Sequence, residues 1–149
     1  MWLWSAAVGR LARQIPMGNC GPHFSGDGRW FLAAGDKTYQ LFAMRGLPAD
    51  WPLVWRQPRE TTSFGAGAAA FSPDGSQVAL QADSRIARLL DTASGRELAR
   101  LTPAMPVSGS LAWSHNGRWL AMATENGTCL WDLPLLRARL RELGLEAAF

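Results

Sequence analysis

FSGDGRWFLAA at 24–34, FSPDGSQVALQ at 71–81 and WSHNGRWLAMA at 113–123 are three versions of one phrase. Each carries an aromatic residue, a Ser, an Asp or Asn followed by Gly, and then an apolar run. The phrases start 47 and 42 residues apart, a spacing that marks a repeat architecture rather than a chance recurrence. An Asp-Gly or Asn-Gly pair between apolar runs is a tight-turn signal. Gly reaches positive φ freely, and the neighbouring side chain can bond nearby backbone. Each phrase therefore reads as strand, turn, strand.

A second landmark follows each phrase: YQLFAM from Tyr39, ARLLDTASGR from Ala87 and TCLWDL from Thr128. The same landmark opens the chain, where Trp4, Ser5, Gly9 and Arg10 take the spacing of Leu90, Asp91, Gly95 and Arg96. Turns fall between the two landmarks at Gly35 and Asp36, at Asp83 and Ser84, and at Asn126 and Gly127. A further turn at Gly9, Gly46 or Gly95 leads into a fourth strand such as LARQ, PLVWR or ELARL. Four short antiparallel strands per repeat make one propeller blade.

These residues resemble WD repeats, the tryptophan-aspartate family of β-propellers, from Met1 to about Leu133. Trp131 and Asp132 keep the signature dipeptide. Elsewhere it has drifted to Trp4 with Ser5, Phe42 with Ala43 and Leu90 with Asp91, and the family's upstream Gly-His pair is absent. The expected architecture is all-β: a partial, open β-propeller of about three four-stranded antiparallel blades plus a short C-terminal α-helix. Its segments are a partial blade at 1–14, blades at 21–56, 67–101 and 110–133, and a helical tail at 134–149. The last blade is expected to lack its outer strand. A closed ring needs at least about four blades. The expectation is therefore a C-terminal fragment of a longer WD-repeat protein, with upstream blades of that protein or a second copy covering the open edges. The tail PLLRARLRELGLEAAF, with Leu136, Leu140 and Leu143 at helical spacing, resembles the ends of bacterial WD-repeat proteins. Some of those carry a serine/threonine kinase domain upstream, and a regulatory propeller attached to such a domain is the alternative reading.

Composition narrows the function. With 48% hydrophobic residues in 149, the chain can bury one ordinary core. A net charge of +3 is spread among interspersed acids rather than gathered in a stripe, which argues against nucleic acid as a partner. No run approaches the length of a membrane span, so no membrane is expected and the chain is placed in the cytoplasm. Cys20 and Cys129 lack metal-ligand or disulfide spacing and read as small buried residues. Gly65, Ala66, Gly67 and Ala68 read as a flexible approach to a strand.

No phosphate loop, nucleophile elbow, zinc motif or calcium loop occurs, and no cofactor, metal or catalytic residue is expected. His23 and His115, beside the first-landmark turns, read as solvated turn residues. Five of the eight Trp residues, Trp4, Trp30, Trp113, Trp119 and Trp131, stand where blades pack. Trp51 and Trp55 lie in an irregular insertion at 46–60. What remains is a non-enzymatic protein-interaction scaffold. In the family that the chain resembles, loops joining second to third strands share one rim with the interblade loops. That resemblance points to Asp36, Lys37, Asp83, Arg85 and Glu125 as protein contacts.

Overall fold

The computed structural model describes residues 1–60, 67–145 and 149, so Gly65 and Ala66 of the expected flexible approach lie outside the described residues. Short apolar runs bounded by Gly turns form antiparallel strands that pair in chain order. Strands β1 (Trp2–Ser5) and β2 (Arg10–Gln14) make a two-stranded sheet. The second sheet holds β3 (Cys20–Phe24), β4 (Trp30–Gly35), β5 (Thr38–Ala43) and β6 (Leu53–Pro58). The third holds β7 (Ala69–Phe71), β8 (Gln77–Gln81), β9 (Ala87–Asp91) and β10 (Glu97–Leu101). The fourth holds β11 (Val107–Trp113), β12 (Trp119–Thr124) and β13 (Gly127–Asp132), followed by helix α1 (Leu133–Glu142).

The first strands of successive sheets, β3, β7 and β11, stand side by side, so the sheets fan out from a common axis as propeller blades do. Three apolar layers lie between consecutive sheets. Ile15, Phe31, Phe42 and Trp51 meet Leu3 in the first layer. Leu32, Leu41 and Tyr39 meet Val78, Leu80 and Leu90 in the second. Leu89 and Leu101 meet Leu111, Leu120 and Met122 in the third. A blade is buried on both faces, which is why its middle strands read as continuous apolar runs such as WFLAA.

The three first-landmark turns are built alike. The Ser hydroxyl donates to the Asp or Asn side chain at 2.6, 2.6 and 2.7 Å. The same oxygen accepts the backbone N–H of Trp30, Gln77 or Trp119 across the turn, at 2.8–2.9 Å. Gly28, Gly75 and Gly117 sit at φ near +70°, where a side chain is costly.

Helix α1 starts one residue ahead of Pro134, and the signature Asp132 caps it by accepting Leu135 N–H at 3.2 Å. Some expected placements differ. Trp4 and Trp119 lie on outer faces that no other sheet covers among the described residues, and both are exposed. Cys20 and Cys129 are half-buried rather than buried. His23 lies within β3, and burial pushes its imidazole below its ordinary pKa, so it is not a solvated turn residue. A short 3-10 helix at Pro48–Asp50 folds the insertion so that Trp51 is buried against Phe31, with ring centroids 5.6 Å apart.

Candidate functional site

The turn between β4 and β5 carries Asp36 and Lys37, the turn between β8 and β9 carries Asp83 and Arg85, and the turn between β12 and β13 carries Glu125. In a meander of four strands the second-to-third turn and the interblade connection emerge on the same side, because each strand reverses direction. The hydrogen bonds follow this rule. Arg59 N–H donates to Lys37 O at 2.9 Å, and Glu60 N–H donates to Ala82 O at 3.1 Å. Val107 N–H donates to Ser84 O at 2.6 Å, and Glu125 N–H donates to Pro106 O at 3.3 Å. The three turns are thus sewn by interblade backbone into one rim.

Within that rim the five residues have different environments. Asp83 is committed to its own turn, accepting N–H bonds from Arg85 at 2.6 Å and Ile86 at 2.7 Å. Asp36 is half-buried and rests against Gly18, where an added Cβ would come within 3.1 Å of the carboxylate. Lys37, Arg85 and Glu125 are exposed. On the adjoining outer strand, Arg100 pairs with Glu97 at 2.7 Å; Glu97 raises its pKa most, and the charges of Glu60 and Asp83 add to the effect. The rim presents alternating charge around a fixed backbone.

The opposite side holds the Ser-x-Asp/Asn-Gly turns, which abut one another. Arg29 pairs with Asp27 and reaches across to Asp74 O at 3.1 Å. Asp27 packs so closely on Gly75 that a Cβ there would collide with its carboxylate. A cleft of about 360 Å³ opens beside them, lined by Ser72, Asp74, Trp113, His115, Asn116 and Arg137. Sequence reasoning missed this cleft because its walls come from two sheets and α1, which only the fold brings together. Asp74 and Asp91 are held below the usual carboxylate range, chiefly by hydroxyl hydrogen bonds from Ser72 and Ser94. These shifts report turn structure, since each carboxylate already has its partners. Among the described residues, no three His, Cys, Asp or Glu side chains lie together as a metal site requires, and no helix is long and apolar enough to cross a membrane.

Comparison with known proteins agrees with the geometry. Residues 104–132 match the WD40 family, described as WD domain, G-beta repeat. A 64-residue stretch is 42% identical to the small ribosomal subunit protein RACK1z of Arabidopsis thaliana, covering 43% of this chain and 19% of that protein. Among solved structures, the Cps50 (Swd1) β-propeller domain of Myceliophteria thermophila superposes with a TM-score of 0.71 at 18% identity, over 87% of this chain and 43% of that one. U3-55K superposes with a TM-score of 0.66 at 18% identity, over 85% of this chain and 39% of that one. The chain thus spans less than half the length of each of these three proteins.

Proposed function

We propose that this set of WD-repeat blades is a non-catalytic interaction module that holds a protein partner on the rim bearing Lys37, Arg85 and Glu125. One observation carries the reading: the three second-to-third turns are joined by interblade backbone hydrogen bonds, so exposed side chains of both signs stand at set positions. A pre-formed rim loses little conformational entropy on binding, and charge complementarity then favours one partner over others. The turns themselves contribute shape and charge, not reactive groups. Asp83 serves mainly by shaping its turn, Asp36 rests against Gly18, and Lys37, Arg85 and Glu125 make the outward contacts. The reading holds whether the remaining blades come from upstream in a longer protein or from a second copy, because either leaves this rim on the same side.

The test compares the chain with Lys37→Glu/Arg85→Glu/Glu125→Lys and with a control, Arg45→Glu, in the exposed β5–β6 turn on the opposite side. Proteins retained by each immobilised chain are quantified by mass spectrometry. Retention by the unaltered chain and the control, with loss in the triple variant, supports the rim. Equal retention by all three chains overturns it.

A further inference from the structure

One backbone position, shared by three sheets, carries a carboxylate in two of them and a methyl group in the other. Just after each first-landmark turn, Trp30 pairs with Ala43, Gln77 with Asp91 and Trp119 with Asp132. The backbone there is alike in all three. Met44 N–H donates to Arg29 O at 2.8 Å, Thr92 N–H to Ser76 O at 2.9 Å and Leu133 N–H to Arg118 O at 3.1 Å. In the fourth sheet, Arg118 donates to the Asp132 carboxylate from Nη2 at 2.6 Å and from Nε at 3.1 Å. In the third, Ser76 stands in the place of the arginine, and Ser94 donates to the Asp91 carboxylate. The second sheet has the arginine, Arg29, but Ala43 in the place of the carboxylate. Arg29 turns instead to Asp27 of its own turn and to Asp74 O. A pocket of about 190 Å³ is left, lined by Gly28, Arg29, Trp30, Ala43, Met44 and Arg45. Arg45 belongs to this repeat alone, since Ala93 and Pro134 take its position in the other two. Its exposed guanidinium has no partner among the described residues. The lining thus holds two guanidinium groups and no acid. The second sheet has a packed layer on each face, so this setting is made entirely within the described residues.

We propose that this pocket binds a small oxyanion, the carboxylate or phosphate group of a small molecule, in the place that Asp132 fills in the fourth sheet. Guanidinium groups present paired N–H donors that match the oxygens of carboxylate and phosphate, which selects such groups over a halide ion. Two cations lining one pocket repel each other, and an anion between them relieves that repulsion. Drug-sized ligands occupy roughly 300 Å³ or more, so a pocket of about 190 Å³ suits a single anionic group rather than a long chain. The pocket lies on the side away from the rim, and the proposal does not depend on what the rim binds.

The experiment is a nuclear magnetic resonance titration of the 149-residue chain with sodium phosphate and, separately, sodium acetate, each against sodium chloride at matched ionic strength. The backbone amide signals of Gly28 and Arg45 should move saturably with at least one of the two oxyanions and not with chloride. Saturation by phosphate alone assigns a phosphoryl ligand, saturation by acetate admits a carboxylate, and either supports the pocket. Arg45→Glu should weaken binding at least about tenfold. Ala43→Asp, which supplies an internal carboxylate where Asp132 stands, should do the same. Arg96→Glu makes an equal change of net charge at an exposed position in the β9–β10 turn on the same side, and should leave binding unchanged. Arg45 is exposed, so its variant keeps the fold, and the result does not rest on the buried position of Ala43. No saturable shift with either oxyanion overturns the proposal. So does binding that survives Arg45→Glu, or an equal loss in Arg96→Glu.

Discussion

Alkaline pH should pry apart the second and third sheets through one hydroxyl. Tyr39 is fully buried, and its Oη donates to Gln81 O at 2.7 Å and Ala68 O at 3.3 Å, both on the neighbouring sheet's side of the layer. Burial pushes its pKa from 10.0 up to about 12, with the nearby Arg59 charge working in the other direction. A group whose folded pKa is raised contributes stability that is complete below its unfolded pKa and disappears as the pH climbs through the folded value. The window is therefore pH 10.0 to about 12. At about 1.4 kcal/mol per pH unit, roughly 3 kcal/mol of stability is lost across it. Tyr39 is the only tyrosine in the chain, so the ultraviolet absorbance of phenolate reports this one residue. The folded chain should form phenolate only toward the upper end of the window, and the urea-unfolded chain near the lower end. Tyr39→Phe should be less stable by about 1–3 kcal/mol at neutral pH, because the carbonyls lose their donor. It should also lack this component of the alkaline decline. Phenolate appearing near pH 10.0 in the folded chain, or an unchanged alkaline decline in the variant, refutes the reasoning.

The same layer tests a glycine. A Cβ at Gly67 would lie 2.5 Å from the Tyr39 hydroxyl, so Gly67→Ala should cost about 1–3 kcal/mol in urea unfolding, and Tyr39→Phe should recover part of that loss in a double-mutant cycle. Ser72→Ala removes the bonds to Gln77 N–H and Asp74 and should cost about 1 kcal/mol, read from the denaturation midpoint. On acidification, Asp74 and Asp91 contribute stability that is present above their ordinary value of 3.8 and is lost as pH falls through their lowered folded values. Urea midpoints measured on descending pH should show that loss, and Ser72→Ala should shrink it. Asp132→Ala removes both the cap of α1 and the partner of Arg118, so the helical circular dichroism signal and the urea denaturation midpoint should both fall.

The sheets were legible because their signals are local. Asp-Gly and Asn-Gly between apolar runs located the first-landmark turns, and Trp131 with Asp132 located the end of the last sheet. What escaped the sequence depends on residues brought together across blades. Tyr39 looked like one aromatic in a strand, and only the fold shows it reaching Gln81 O. In the insertion at 46–60 only the strand PLVWR was legible, yet the segment buries Trp51 and lets Trp55 Nε1 donate to Thr92 O at 2.8 Å. The bonds that join the rim turns are backbone to backbone and leave no mark in side-chain identity. Trp4 and Trp119 illustrate the opposite failure, since repeat position assigns a tryptophan to a blade face but cannot say whether another blade covers it.

Among the described residues, substantial packing between sheets runs only from each sheet to the next around the fan, with no single core shared by all. Damage at one layer is then felt by two sheets and by little else, as in any stack of nearest neighbours. A force applied to one end would peel the molecule in steps, each step releasing one layer. Evolution or a protein engineer can accordingly exchange an entire blade at the cost of refitting two seams.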